Sequence, residues 1–224
     1  MKHLTFTPAV RIQESLVANA EKRCLVWLAG RTPDWINSDH LTILGFLSQC
    51  MAGVCYAWAA RDKQALLWAI VFLALNWLGD SLDGTLARVR NQQRPRYGFY
   101  VDHIADSVSA LFLMGGLTLS GFVHPIVAIG MLLAFLLLSI ESYLATYTLG
   151  RFHLSHGKFG PTEIRILLAA GNLALFLNPA TTVFGTHIRL FDFGGVIAVA
   201  GMALMFFISS ARHVRQLYRE EPLA

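Results

Sequence analysis

The sequence predicts an all-α integral membrane protein in which six transmembrane helices follow an N-terminal amphipathic helix on the membrane surface. Of its 224 residues, 55% are hydrophobic and only 14% are charged, with a mean hydropathy of +0.51. About a quarter of the residues of a soluble domain are charged. Six apolar stretches each approach the roughly 20 residues that an α-helix needs to cross the hydrocarbon core. Because backbone groups in lipid must bond to one another, helices are the expected form.

The elements follow from the pattern of apolar and charged residues along the chain. From Pro8 to Leu28 the apolar residues are spaced like one face of a helix, with charges on the other face, which predicts the amphipathic helix. We assign residues 1–38 to this juxtamembrane segment and residues 39–224 to one six-helix transmembrane domain that carries the chemistry. The six crossings are predicted at Leu41–Ala60, Gln64–Leu86, Val101–Phe122, Pro125–Leu149, Thr162–Phe184 and Phe193–Val214.

The basic residues predict the orientation of the bundle. Of the 18 lysines and arginines, only Arg61, Lys63 and Arg189 fall in the three connections on one side of the membrane. The positive-inside rule places the richer side, with both termini, in the cytoplasm. We interpret the membrane as a bacterial inner (plasma) membrane. The expected surroundings are the lipid bilayer, and no nucleic acid partner is expected.

Acidic residues recur on one face of two consecutive crossings. The second crossing carries Asp80 and Asp83, and the third carries Asp102 and Asp106. Spacings of three and four residues place each pair on one helix face. Two neighbouring antiparallel helices would therefore present four carboxylates together, all near the cytoplasmic end.

Four facing carboxylates predict a cation site, because like charges repel unless cations neutralise them. Carboxylate oxygens are ligands that magnesium, manganese or calcium prefer, and zinc is disfavoured in a set without histidine or cysteine ligands. Two divalent ions would suit this arrangement. Paired ions can hold a diphosphate and stabilise both the entering and the leaving oxygen of a displacement.

Simpler interpretations exist for each residue taken alone. A single aspartate near a helix end is usually a cap or a solvated charge. Gly84 and Ala87 could let two helices approach closely, and Arg88 could be an anchor at the membrane boundary. These interpretations do not explain why the small residues directly follow the carboxylates, where a bulky flat ligand would need space. The stretch "DGTL" is also similar to the DxDGT loop of aspartate-nucleophile phosphatases, where one residue separates two aspartates after a buried strand. That interpretation is excluded, because Ser81 and Leu82 separate the aspartates here and a membrane span precedes them.

The spacing of these residues resembles a known family signature. The pattern D-x2-D-G-x2-A-R followed by G-x3-D-x3-D is similar to that of the CDP-alcohol phosphotransferase family, and the six crossings and the amphipathic N-terminal helix look like that family too. The residues that carry the resemblance are Asp80, Asp83, Gly84, Ala87, Arg88, Gly98, Asp102 and Asp106.

The resemblance implies a transferase that cleaves the diphosphate of a CDP-activated alcohol, passes the phosphate-linked alcohol to an acceptor hydroxyl, and releases CMP. It implies two divalent cations, Mg²⁺ or Mn²⁺, with Asp80, Asp83 and Asp102 as metal ligands. Asp106 would be a ligand, the general base for the acceptor hydroxyl, or both. The resemblance also implies a homodimer.

By the same resemblance, the small residues of the signature line the nucleotide. Gly84 and Ala87 would admit the cytidine, Arg88 would contact the diphosphate, and Gly98 belongs to the same nucleotide site. Thr42, in the stretch "DHLTILG", resembles the polar start of the family's first crossing, which lies near the nucleotide. A threonine at a helix start is otherwise commonly a cap.

Charged residues also occur at the start of one later crossing and inside another. Lys158 and Arg165 flank the start of the fifth crossing, where basic side chains beside a helix N-terminus make an anion site, and we interpret them as acceptor-binding residues. The alternative is a snorkelling, salt-bridged helix end. Glu141, inside the fourth crossing, needs a partner, and its role stays open.

The leading functional hypothesis is an enzyme of phospholipid synthesis that uses CDP-diacylglycerol and a small polar acceptor alcohol. One alternative reverses the arrangement and donates a CDP-linked head group, of the choline or ethanolamine type, to a lipid alcohol. Another is a divalent-metal transporter, although a transport site is expected near the midplane and these carboxylates lie toward one face. The acceptor, its phosphorylation, the choice of ion and the oligomeric state are left open.

Overall fold

The described part of the chain is almost entirely α-helical. In this computed structural model, the described residues are 10–12, 18–153, 161–177, 181–183 and 186–221. The helices are α1 Ala18–Ala29, α2 Ser38–Ala59, α3 Ala65–Val89, α4 Pro95–Ser120, α5 Pro125–Leu149, α6 Pro161–Leu177 and α7 Leu190–Glu220. The strands are β1 Val10–Ile12, β2 Arg151–His153, β3 Thr181–Val183 and β4 Thr186–Ile188. β1 pairs with β2 in parallel, and β3 pairs with β4 in antiparallel orientation.

Five of the described helices, α2, α3, α4, α5 and α7, are long and apolar enough to cross a membrane. The chain is therefore an integral membrane protein, as its composition predicts. α6 has 17 residues, a length of about 25 Å that lies at the short end of the range for a crossing. Six crossings remain a prediction.

Several helix ends coincide with proline, glycine or capping residues. Pro125 occupies the first turn of α5, and Gly150 ends the helix at φ 67°, so the predicted bounds of this crossing are those of the structure. Gly121 ends α4 at φ 75°, a conformation that glycine adopts without steric cost. At the start of α2, the side chain of Asn37 accepts from the His40 backbone N–H, and His40 Nδ1 accepts from the Asn37 N–H.

Two predicted boundaries differ most from the structure. The fifth crossing was predicted through Phe184, but α6 ends at Leu177 and a strand occupies Thr181–Val183. Pro179 follows within two residues, and proline disfavours helical backbone in the residue before it. The N-terminal helix was predicted from Pro8, whereas Val10–Ile12 is a strand and α1 begins at Ala18.

α2 lies between α3 and α4, and glycines allow both close crossings. A Cβ on Gly79 of α3 would lie 2.5 Å from the Gly45 backbone nitrogen of α2. A Cβ on Gly116 of α4 would lie 1.9 Å from the Gly53 carbonyl oxygen. Such small residues let helix backbones touch in a membrane protein. α5 packs on α4 and α7, and α6 packs on α3.

α1 packs against α3 and the first turns of α2. Its buried Leu25 and Ala29 join a cluster with Leu41 of α2 and with Leu82 and Leu86 of α3. Its other side exposes large apolar residues, as in Trp27, which is 55% exposed. The placement of this helix on the membrane surface is a prediction from its sequence.

Candidate active site

All four aspartates of the two acidic helix faces line one cavity. α3 contributes Asp80 and Asp83, and α4 contributes Asp102 and Asp106. The remaining lining residues come from α2, α3 and α4. They are Thr42, Gly45, Phe46, Asn76, Ala105 and Ser109. The cavity is therefore built where α2, α3 and α4 meet.

The Gly45–Gly79 crossing sets the position of this cavity. Gly79 immediately precedes Asp80, so this close contact between α2 and α3 lies next to an aspartate. The helical spacing then places Asp83 one turn further along the same face. The buried Asn76 amide lies one turn before Asp80 and donates to the Gly45 carbonyl oxygen at 2.9 Å. The acidic face of α3 is thus fixed against α2 by backbone contact and by this hydrogen bond.

Asp83 is held by polar groups from two helices. Thr42 Oγ1 of α2 lies 2.6 Å from Asp83 Oδ2, and the Gly84 backbone N–H donates to Asp83 Oδ1. Ser38 Oγ also donates to the Asp83 carbonyl oxygen at 3.0 Å. The carboxylate is 6% exposed, so these contacts fix its orientation.

Asp80 pairs with a basic residue from α6. Arg165 Nη2 lies 2.6 Å from Asp80 Oδ2, and Arg165 Nε donates to Asn76 Oδ1 at 2.8 Å. The arginine side chain is 14% exposed and the aspartate side chain 34% exposed. The guanidinium therefore neutralises part of the negative charge at the edge of the cavity and fastens α6 to α3.

The four aspartates are suitable ligands for a divalent cation, because hard cations such as Mg²⁺ prefer carboxylate oxygens. Within the described ranges, no three acidic, histidine or cysteine side chains converge into a preassembled metal cage. An ionised carboxylate offers about four lone-pair sites, so the bonds from Thr42 and Arg165 leave acceptor capacity on Asp83 and Asp80. Metal binding at this cavity remains a prediction.

The residues predicted to bind the nucleotide fall into two groups. Thr42 lies in the cavity lining, where it contacts Asp83. Gly84, Ala87, Arg88 and Gly98 do not line this cavity. They lie toward the connection between α3 and α4. Arg88 is exposed, and its Nη2 donates to Thr85 Oγ1 at 3.0 Å. A Cβ on Gly98 would meet nothing within 4 Å, so open space adjoins the first turn of α4.

Two other arginines near the connection between α3 and α4 form hydrogen bonds to the start of α2 and to the loop before it. Arg90 Nη1 donates to the Ile36 carbonyl oxygen at 2.6 Å, and its Nη2 donates to the Thr32 carbonyl oxygen at 2.7 Å. Arg94, at the start of α4, bonds to Asp39 at the start of α2, and this hydrogen bond raises the pKa of the guanidinium. Both residues therefore stabilise the packing of the α3–α4 connection against the start of α2 and the loop before it.

The predicted acceptor residues have different outcomes. Arg165 reaches the aspartate cavity, as described above, whereas Lys158 lies outside the described residues. One turn before Arg165, Thr162 Oγ1 donates to Glu21 Oε1 at 2.8 Å. Glu21 belongs to α1, and the same oxygen accepts from Trp77 Nε1 at 2.8 Å and from Ser81 Oγ at 3.2 Å. α1 therefore joins α3 to the start of α6.

Sequence reasoning did not identify Glu21. It is one of several charges on a short amphipathic helix, and its spacing carries no signal that distinguishes it from solvated neighbours. Asn76 lies four residues before Asp80 on the same helix face, and the structure gives it a bridging position between Gly45 and Arg165. A buried amide inside an apolar helix is a signal that could have found it.

The charge inside the fourth predicted crossing also has partners. Glu141 of α5 is buried, and its Oε1 lies 2.6 Å from His213 Nδ1 of α7. Ser209 Oγ donates to the same oxygen at 3.0 Å. Glu141 therefore holds α7 on α5, away from the residues that line the aspartate cavity.

Comparisons with known proteins agree with the motif. A family model described as CDP-alcohol phosphatidyltransferase matches residues 35–208, which include every lining residue of the cavity. Cholinephosphotransferase 1 of Gallus gallus is 31% identical over 96 residues. The matched segment covers 40% of this chain and only 28% of that relative.

Proposed function

Because the chain belongs to the CDP-alcohol phosphatidyltransferase family, we propose that it transfers a phosphatidyl group from CDP-diacylglycerol to a small polar alcohol and releases CMP. Its general class, a membrane transferase for substituted phosphate groups, follows from the family. The lipid donor, the acceptor and the roles of the residues are the proposal. Phospholipid biosynthesis is the process that such a reaction would serve.

The observation that carries the proposal is the convergence of four aspartates on one cavity where α2, α3 and α4 meet. These are the aspartates of the family pattern, and a partly buried cluster of like charges is costly unless it has a use. A cavity at one end of a transmembrane bundle suits a donor whose acyl chains lie in lipid and whose cytidine lies in water. This placement favours CDP-diacylglycerol.

Asp80, Asp83, Asp102 and Asp106 are the residues that would hold two divalent cations, Mg²⁺ or Mn²⁺. Bound there, the cations would offset the charge of the donor's diphosphate and of the leaving CMP. Thr42 and the Gly84 N–H would orient Asp83 for this task, since partners of ligating carboxylates fix their direction.

The transfer itself joins the acceptor oxygen to the phosphorus that carries the diacylglycerol. The bond from that phosphorus to the oxygen bridging to CMP breaks, and CMP leaves with the electron pair. Asp106, on the α4 side of the cavity, is proposed to accept the proton of the acceptor hydroxyl. Its charge would favour the deprotonated oxygen only while the carboxyl group is itself ionised.

The nucleotide would extend from the cavity toward the connection between α3 and α4. Gly84 and Ala87 on α3 and Gly98 on α4 provide small surfaces for the cytidine. Arg88 is proposed to contact the diphosphate, because a guanidinium presents several donors to phosphate oxygens. Thr42 would lie at the inner end of this path.

Arg165 is proposed to bind a phosphate on the acceptor as well as to neutralise Asp80. It reaches the edge of the cavity from α6, where it contacts Asp80. Lys158 is proposed to share this task. A second anionic substrate would need such cations, since the metals would be occupied by the donor. This supports a phosphorylated acceptor alcohol.

The proposal also includes the orientation of the protein in its membrane and its oligomeric state. The excess of basic residues on one side supports the proposal that the cavity and both termini face the cytoplasm. The proposed membrane is a bacterial inner membrane. A homodimer is proposed from the family. Among the broader alternatives, family membership favours transfer chemistry over divalent-metal transport.

The similarity to a cholinephosphotransferase favours one alternative, transfer of a CDP-linked head group to a lipid alcohol. The same cavity would serve, with the donor and the lipid exchanged. This arrangement needs no anion site for the acceptor, so Arg165 would act on Asp80 alone. The two versions therefore differ in what they require of Arg165.

The deciding experiment measures CMP release by purified protein in mixed micelles with Mg²⁺ or Mn²⁺. We expect release with CDP-diacylglycerol and a member of a panel of acceptors, with the lipid product identified by mass spectrometry. Turnover of CDP-choline or CDP-ethanolamine with diacylglycerol, and none of CDP-diacylglycerol, would establish the alternative. Metal uptake into liposomes without nucleotide turnover would instead support a transporter.

A further inference from the structure

α7 is longer than the membrane requires. Its 31 residues from Leu190 to Glu220 correspond to about 46 Å, whereas the hydrocarbon core is about 30 Å thick. Its apolar part ends at Ile208, and the sequence turns polar from Ser209. The last three turns therefore extend to the headgroup region and beyond it.

Three arginines form one stripe on this projecting part. Arg212, Arg215 and Arg219 are three and four residues apart, which places them on one face of the helix. All three are exposed, and they line one concave surface together with Gln216 and Glu220. In the described part of the chain, none of the three forms an ion pair with an acidic side chain. Gln216 Nε2 donates to Glu220 Oε1 at 2.8 Å.

A separate contact fixes the direction of this stripe. Ser209 and His213 lie on the face of α7 that packs on α5, where both contact the buried Glu141. At 100° per residue, the arginine stripe lies roughly 110° around the helix from these two residues. The buried contact therefore turns the arginines away from α5.

We propose that Arg212, Arg215 and Arg219 bind the headgroups of anionic phospholipids in the leaflet at the carboxyl end of α7. Headgroup phosphates are the anions found at the depth where the apolar part of α7 ends. Guanidinium groups match phosphate oxygens in geometry as well as in charge. Clusters of basic residues next to a transmembrane helix are attracted to anionic lipids. The site is separate from the aspartate cavity, to whose lining α7 contributes no residue.

The test compares two triple variants of the full chain purified in a neutral detergent. One is Arg212→Gln/Arg215→Gln/Arg219→Gln. The matched control, Arg61→Gln/Lys63→Gln/Arg189→Gln, removes three exposed cations that are not gathered on one helix face. Phosphatidylglycerol or phosphatidylcholine is titrated, and bound lipid is counted by native mass spectrometry. Melting temperatures without added lipid check that both variants fold.

We expect the wild type and the control to bind phosphatidylglycerol equally and to prefer it to phosphatidylcholine. The α7 variant should bind it about a hundredfold more weakly, since each of the three basic residues near an anionic surface contributes about a fivefold factor. Raising the salt concentration should reduce the difference, because exposed charges are screened.

Three results would overturn the proposal. The α7 variant could bind phosphatidylglycerol as tightly as the wild type. The control could lose as much affinity, which would show dependence on net charge alone. Inorganic phosphate or glycerol phosphate at equal concentration could displace the lipid completely, which would assign the stripe to soluble anions.

Discussion

Thr42 Oγ1 lies 2.6 Å from Asp83 Oδ2 and 3.0 Å from the Ser38 carbonyl oxygen. A hydroxyl group has one hydrogen, and the nearer, charged carboxylate is the stronger acceptor. A residue that could have been only a helix cap thus reaches across to an aspartate of the family pattern. The contact links the start of α2 to the centre of the proposed site.

Thr42→Val removes this hydrogen bond and keeps the shape of the side chain. We expect turnover, or the apparent affinity for Mg²⁺ or Mn²⁺, to fall by about tenfold to a hundredfold, as for other partners of ligating groups. Thr42→Ser retains the hydroxyl and should stay close to the wild type. CMP release measured against metal concentration checks both. Equal activity of the valine and serine variants would show that the bond does not matter for catalysis.

Asp83→Asn removes one negative charge with little change in shape. We expect the loss of metal-dependent CMP release, while the protein still inserts and melts at a normal temperature. Asp62→Asn is the matched control, because Asp62 lies exposed between α2 and α3. Full activity of Asp83→Asn with unchanged metal dependence would count decisively against a two-ion site.

Asp106→Asn tests the proposed base. An amide cannot accept the proton of the acceptor hydroxyl, so turnover should be abolished. If proton transfer is the main task of Asp106, binding of CDP-diacylglycerol should partly survive. Calorimetry of donor binding next to the CMP-release assay separates the two effects. Substantial turnover by this variant would remove Asp106 from the proposed chemistry.

The close crossing of α2 and α3 leads to a prediction about stability. Gly79→Ala would place a Cβ 2.5 Å from the Gly45 backbone nitrogen and 2.6 Å from the Leu41 carbonyl oxygen. Because backbone atoms cannot yield as a side chain does, the helices must separate, at a cost of about 1–3 kcal/mol. The melting temperature and CMP release should both fall, since Asp80 is the next residue.

Gly115→Ala provides the control for this crossing. Gly115 lies inside α4, five residues before its last residue, and an added Cβ there meets nothing within 4 Å. Alanine favours a helix interior over glycine by about 1 kcal/mol, so this variant should be as stable as the wild type or more stable. A Gly79→Ala protein that matches it in melting temperature and activity would contradict the tight crossing.

The parts of the site that sequence could predict are those set by spacing within one helix. Separations of three and four residues place Asp80 with Asp83, and Asp102 with Asp106, whatever the helices pack against. The structure brings the two pairs to one cavity because small residues allow α2 to approach both α3 and α4. That packing depends on backbone contacts between distant segments, which periodicity does not encode.

The contacts that sequence could not predict join residues far apart in the chain. Thr162 of α6 meets Glu21 of α1, and Arg165 meets Asp80. Each partner alone is compatible with a solvated or snorkelling side chain, so only the folded arrangement selects the pair. Helix ends were predictable where proline or glycine marks them, as at Pro125 and Gly150.

The proposed acceptor pocket depends on Arg165 and Lys158. If the acceptor carries a phosphate, its charges need cations other than the two metals. A charge-assisted contact contributes about 1.5–3 kcal/mol, so Arg165→Gln and Lys158→Gln should each raise the apparent KM for the acceptor by about tenfold to a hundredfold. The KM for the CDP-linked donor should change much less. Steady-state kinetics with each substrate varied in turn measures both constants.

Besides its proposed binding of the acceptor, Arg165 positions Asp80 in the structure, and kinetics can separate the two roles. Its bonds to Asp80 and Asn76 position the acidic face, so Arg165→Gln should lower kcat in addition, whereas Lys158→Gln should act on the acceptor KM alone. Arg165→Lys keeps the charge but loses the forked geometry, and should recover part of the acceptor affinity. If kcat falls in Arg165→Gln while the acceptor KM is unchanged in both glutamine variants, Arg165 only positions Asp80. The anion pocket would then be wrong, and an uncharged acceptor would be indicated.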